Sequence, residues 1–186
     1  MRPRDAILRH PSAGSTDPMP LIRDIDHVAV AVESIEDALV LFQDVLGGTF
    51  VSGGDDDESG VRAVRVQLPG LRIELLQPLR DDTRLQAHID KRGQGLHHMT
   101  MLVRDLDEAI AELEAEGFET TGTDRSRPWW METYIRPRSG FGALIQLVET
   151  NERWDRPAEG LAVDDVLAGR AIWADGRARL RTAEDG

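Results

Sequence analysis

Two histidines and two hydrogen-bonding side chains stand where a soluble protein ordinarily keeps apolar residues. His27 and His98 each open a strand of alternating pattern, within IDHVAVAV and HHMTMLV. Glu74 and Gln146 each lie in the middle of a strand of large aliphatic residues, within LRIELLQPL and GALIQLVET. Side chains alternate sides along a strand, so Glu74 faces away from Ile73 and Leu75, and Gln146 away from Ile145 and Leu147. A polar group buried there without a partner is costly, so something on that face must engage it. Imidazole is the commonest neutral metal ligand. Two imidazole nitrogens, a carboxylate and an amide oxygen suit a borderline divalent ion with positions left open for water or substrate. Cobalt, nickel, zinc, manganese, magnesium and iron are the candidates.

The elements that must position these residues occur twice. His98 follows His27 by 71 residues, and the same 71 separates Val103 from Val32 and Ala109 from Ala38. A register kept across both a strand and a helix marks an internal duplication, here a pseudo-symmetric pair. In the first copy, Ile25 to Val32 reads as a strand. Ser34 caps a helix with an apolar face at Ala38, Leu41, Phe42 and Val45, and Gly47-Gly48 ends it. Three strands follow, beginning at Thr49, Val61 and Leu71. In the second copy, His97 to Val103 is the strand, and Asp105 caps a helix with Leu106, Ala109, Ile110 and Leu113 on its apolar face. Extended segments from Phe118, Met131 and Ala143 complete it. Each copy is therefore β-α-β-β-β, and the fold class is α+β. The expected organisation is a flexible arm over 1–20, a domain over 21–150 with modules 21–80 and 95–150 joined by a helical connector over 81–94, and an extension over 151–186. The extension reads as a surface appendage that packs through Trp154 and Trp173, with Leu161, Val163, Val166, Leu167, Ile172 and Trp173 available to one amphipathic helix.

The chain has 186 residues, a net charge of −12 and no cysteine. Acidity of this size disfavours nucleic acid and anionic membrane surfaces as partners. No apolar run approaches the roughly 18 residues that span a bilayer, and no secretory signal opens the chain. The lack of cysteine excludes disulfides and thiolate metal sites and fits a cytoplasmic location. The acidic run Asp55 to Glu58 reads as a solvated loop. His97, on the strand face opposite His98, reads as a packing residue, His88 as a surface residue and Glu149 as a solvated strand end. Trp129 and Trp130 either wall a substrate pocket or anchor their loop. Arg136 and Arg138 either meet a carboxylate or phosphate or belong to a solvated turn.

From Leu21 to Thr150 the chain resembles the vicinal oxygen chelate superfamily, which includes glyoxalase I, methylmalonyl-CoA epimerases, fosfomycin-resistance proteins and extradiol dioxygenases. The segments IDHVAVAV, RIELLQPL, GLHHMTMLVRDLDEAIAELEAEG and IRPRSGFGALIQLVE are most similar to the epimerases. The resemblance implies two βαβββ modules forming a half-open mixed β-barrel around a metal, with His27, Glu74, His98 and Gln146 as ligands and Glu74 and Gln146 closest to the chemistry. It implies polarisation of a carbonyl or thioester of a small organic-acid or acyl-CoA substrate, by an isomerase, epimerase or lyase. A homodimer is an assembly it allows. Two departures stand out: the epimerases carry Glu where this chain has Gln146, and a carboxylate near the place of Ala63. A non-haem iron dioxygenase and a metal-free binding protein of the bleomycin-resistance type are the alternative functions.

Overall fold

The computed structural model describes residues 20–151, 158–174 and 176–185. Nearly all of the expected N-terminal arm, and Trp154, lie outside the described residues. Among those described, no helix is long and apolar enough to cross a membrane.

The expected α+β class and glyoxalase-like architecture are found. The first module runs β1 (Ile22–Ala31), α1 (Ile35–Leu39), β2 (Thr49–Asp56), β3 (Val61–Leu68) and β4 (Leu71–Pro78). Helix α2 (Arg84–Arg92) connects it to β5 (Gly95–Val103), α3 (Leu106–Ala115), β6 (Thr120–Asp124), β7 (Met131–Ile135) and β8 (Ile145–Glu149). The remaining elements are α4 (Val163–Leu167), β9 (Ala171–Ala174) and β10 (Arg177–Leu180). All ten strands form one curved, unclosed sheet in the order β10-β9-β2-β3-β4-β1-β5-β8-β7-β6. The two modules meet where β1 and β5 pair antiparallel, and each of these strands pairs parallel with the last strand of its own module.

Residues paired across a ladder share a face, and the register lines up two rows. One runs Arg65, Glu74, Ala29, His98 across β3, β4, β1 and β5. The other runs Tyr134, Gln146, Thr100, His27 across β7, β8, β5 and β1. The rows are images of each other under the pseudo-symmetry, and together they carry every polar position singled out by the duplication.

On the site face, Leu85 and Ile89 of α2 pack on Ala29, Ala31, Ala63 and Leu76, and the opposite face holds α1, α3 and α4. Ile35 and Leu39 of α1 and Val166 of α4 pack on Val64, Val66, Ile73 and Leu75. Leu106 and Ala109 of α3 pack on Val103, Ile135 and Leu147. Each such large side chain, fully buried, contributes on the order of 2 kcal/mol. Ser34 and Asp105 cap their helices as expected, accepting from the backbone N–H of Asp37 and Glu108 at 3.1 and 2.8 Å.

Two elements differ from expectation. Beyond Leu39 the first helix widens into a π-helical turn over Val40–Val45. The wider turn shifts the apolar stripe, so Leu41 and Val45 are exposed at 50% and 71% rather than packed. The second difference is larger. The C-terminal extension is not an appendage with one amphipathic helix; among its described residues Val163–Leu167 is the α-helical stretch, Ala183–Asp185 forms a 3-10 turn, and Ile172 and Trp173 lie in β9. β9 joins the edge of β2 in parallel, with Ile172 opposite Asp55, and β10 pairs antiparallel with β9. Gly54 explains the docking. A Cβ at that position would lie 2.7 Å from the backbone carbon of Ile172, closer than real contacts allow, so only glycine admits the strand.

Candidate metal centre

His27 and His98 come from paired central strands, and Glu74 from the strand beside β1. Each of the three offers one ligand atom within 4.8 Å of the other two. All are buried: 1%, 8% and 7% exposed respectively. They line a cavity of about 400 Å³ together with Gln146, Ala63, Arg65, Tyr134, Trp129 and Trp130.

His27 is held from behind. Its Nδ1 lies 2.6 Å from Asp26 Oδ2, and Arg72 donates to Asp26 Oδ1 at 3.1 Å. A carboxylate on Nδ1 fixes the ring and leaves Nε2 directed at the site, as outer-shell partners of metal-binding histidines do. Nε2 is 3.1 Å from Glu74 Oε2 and 3.0 Å from Thr100 Oγ1. Burial pushes the His27 pKa down, but the Glu74 charge and the Asp26 hydrogen bond outweigh it, and the net shift is upward. Burial likewise opposes ionisation of Glu74, but His27 and Arg65 hold it well below the usual carboxylate range. His98 is pushed down to about 3 by burial, with Glu74 opposing, and is therefore neutral, as a ligand must be.

Glu74 is divided between two neighbours. Oε1 accepts from Arg65 Nε at 2.8 Å, which leaves Oε2 on the His27 side. Gln146 is oriented by what surrounds it. Its Nε2 donates to Glu132 Oε2 at 2.6 Å and to Tyr134 Oη at 3.0 Å, and its Oε1 accepts from Thr100 Oγ1 at 2.5 Å. A carboxylate only accepts, so Glu132 sets the amide with its oxygen toward His27 and Thr100. Two imidazoles, one carboxylate oxygen and a nearby amide oxygen fit a borderline divalent ion, and the outer contacts of His27 and Glu74 are those such a site needs.

Glu132 escaped the sequence reading. It precedes Tyr134 by two residues, as Ala63 precedes Arg65, so it stands at the pseudo-symmetric counterpart of Ala63. Its carboxylate also accepts from Trp130 Nε1 at 2.7 Å and from the Tyr134 hydroxyl at 3.0 Å. The signal was available: METYI alternates two polar side chains onto the face that carries Gln146 in the next strand.

Other residues fall differently from expectation. Arg136 and Arg138 do not reach the cavity. β7 ends at Ile135, and the turn that follows aims Arg136 at Thr121 Oγ1, 3.0 Å away, and Arg138 at Glu119. His97 lines the same cavity as His98, and their Nδ1 atoms are 2.7 Å apart, so one donates and the other accepts. Burial, then the neighbouring His88, pushes His97 down to about 4. His88 stacks edge-on against His97 with ring centroids 4.6 Å apart. Glu149 is no free strand end: its Oε2 accepts the Leu106 N–H at 2.8 Å and caps α3. The acidic run is not a solvated loop throughout. Asp55 is buried against Arg62 at 2.6 Å, and Asp57 pairs with Arg181 of the extension at 2.7 Å. Trp173, also from the extension, lines the cavity.

The chain matches the glyoxalase/bleomycin resistance protein/dioxygenase superfamily model over residues 26–129. It is 30% identical over 131 residues to the Bacillus subtilis protein YqjC, covering 67% of this chain and 91% of that protein. It is 27% identical over 134 residues to the ethylmalonyl-CoA/methylmalonyl-CoA epimerase of Cereibacter sphaeroides, covering 68% and 98%. The crystal structure of methylmalonyl-CoA epimerase from Mycobacterium tuberculosis superposes with a TM-score of 0.64 at 29% identity, over 73% of this chain and 93% of that one.

Proposed function

The chain belongs to the glyoxalase/bleomycin resistance protein/dioxygenase superfamily, and from that premise we propose that it is a divalent-metal-dependent isomerase of the epimerase type. It moves a proton at the carbon beside a carbonyl or thioester in a small organic acid or acyl-CoA. The observation that carries this reading is the buried convergence of His27, Glu74 and His98 on one cavity. The epimerase relatives support the reaction class.

When bound, the ion supplies Lewis-acid polarisation of the carbonyl, which acidifies the adjacent C–H. The chain's own residues supply the rest. Inverting a carbon needs proton transfer on two faces. Ala63 has no proton to exchange, and an amide at Gln146 is no base. Two carboxylates nevertheless stand next to the site, Glu74 from the first module and Glu132 from the second. They stand at the pseudo-symmetric counterparts of Gln146 and Ala63, the two places where the resemblance to the epimerases implies a carboxylate. Tyr134 lines the cavity and donates to Glu132 Oε1 at 3.0 Å. Burial and then the Glu132 charge raise its pKa, so the phenol stays protonated. The substrate proton passes to the phenolic oxygen as the phenolic proton passes to Glu132 Oε1. Trp129 and Trp130 wall the cavity and limit access of water.

The test is solvent deuterium exchange into the α-carbon of methylmalonyl- or ethylmalonyl-CoA, followed by NMR with the Co(II)-loaded protein. Exchange is expected, and Glu132→Gln should slow it by at least tenfold. Loaded protein that binds the thioester yet exchanges no α-proton contradicts the proposal. One observation favours a metal-free binding role as the second reading: Glu74 is paired with both Arg65 and His27, so protein groups alone can compensate its charge. That role requires ligand affinity to survive chelation unchanged.

A further inference from the structure

Trp173 belongs to the C-terminal extension, outside the stretch that carries the family match, yet it stands in the candidate site. Its neighbour there is Arg65, which is 6% exposed and donates from Nε to Glu74 Oε1. The guanidinium carbon lies 5.0 Å from the Trp173 ring centroid and 5.9 Å from that of Trp130. One indole comes from β9, which lies along the first module's edge strand β2, and the other from the loop before β7. A flat cation facing two indoles keeps its fork in one orientation.

The extension reaches across the cavity to do this. β9 is fixed to β2, whereas the turn after it rests on Trp129 of the second module. A Cβ at Gly176, whose φ is +78°, would lie 2.8 Å from Trp129 Cδ2. The hairpin is fastened at its base by Arg181 to Asp57 at 2.7 and 2.8 Å, and Arg62 ties α4 to β3 through the Leu167 carbonyl at 2.8 Å. Trp173 is thus delivered to Arg65 by an element tied to both modules.

We propose that Trp173 is a positioning residue of the metal centre. With Trp130 it holds Arg65 against Glu74 Oε1, which would fix the carboxylate and leave Oε2 as the oxygen that could hold an ion. The inference rests on the reading that His27, Glu74 and His98 hold a divalent ion.

The experiment is Co(II) titration of the full chain, followed by the visible d–d spectrum. Wild type should bind one ion. Trp173→Ala should weaken binding about tenfold, the size expected when an outer contact of a metal site is lost, and should alter the band shape. Trp173→Phe, which keeps a ring face, should recover most of both. Arg65→Ala should reproduce the Trp173→Ala change, and the double variant should add nothing, because the two act as one unit. A Trp173→Ala protein with unchanged affinity and spectrum overturns the proposal, as do fully additive effects. Wild-type protein that takes up no Co(II) overturns the metal reading itself, a result distinct from either.

Discussion

His27 shows how one side chain can be read in two protonation states. With Asp26 on Nδ1 and Glu74 on Nε2, its imidazolium form suits a salt-bridged core. An ion at Nε2 requires that proton to leave. Because the His27 pKa is raised above the ordinary imidazole value of about 6.5, metal affinity should climb about tenfold per pH unit until that higher pKa is passed, then level off. Calorimetry in two buffers of different ionisation heat should detect proton release on metal binding below that raised pKa; an affinity that fails to rise with pH from 6 upward would show that Nε2 is not a ligand. The sign for the metal-free protein is the reverse. A raised pKa stabilises the fold fully below the unfolded value and is lost as pH rises through the folded one. Chelated protein should therefore melt at a lower temperature at pH 9 than at pH 7, and loaded protein should lose less over the same interval. Tyr134 offers a separate check: Tyr134→Phe leaves Glu132 in place but removes the phenolic relay to it, so it should lower kcat at least tenfold with little change in metal affinity.

At the scale of elements, the repeat was legible because periodicity and capping agree. Ser34 and Asp105 sit at matched places, and both cap helices. Glu74 and Gln146 were legible as polar interruptions of apolar strands, which is a pattern of period two. Glu132 was missed because its strand is short and half-buried, so polar side chains raised no conflict there. The extension was misread for a physical reason. β9 and β10 have four residues each, too few for periodicity, and their place depends on a backbone contact with Gly54 that no local pattern records. Gly54→Ala tests that contact. It forces a methyl into the Ile172 backbone and should cost about 1–3 kcal/mol in urea unfolding. A substitution that leaves the midpoint in place would mean β9 is not docked on β2.

The whole molecule is two half-sites made one by the β1–β5 seam. Each module supplies one histidine and one strand-borne polar ligand candidate, and neither row is complete without a residue from the other module. The chain carries a net charge of −12, while its cavity is lined by Arg65, Arg84 and Arg127 against Asp56 and Glu74. Three guanidiniums against two carboxylates give the lining an excess of one formal positive charge, the sign that the proposed anionic substrate needs. In the proposed function an ion joins fold to function, and the most direct measurement is its stoichiometry. Metal-free protein dialysed against Co(II) or Zn(II) and analysed for bound metal should retain one ion per chain, while His98→Ala should lose most of it. Wild type without a stoichiometric ion, or His98→Ala with an undiminished one, contradicts the account.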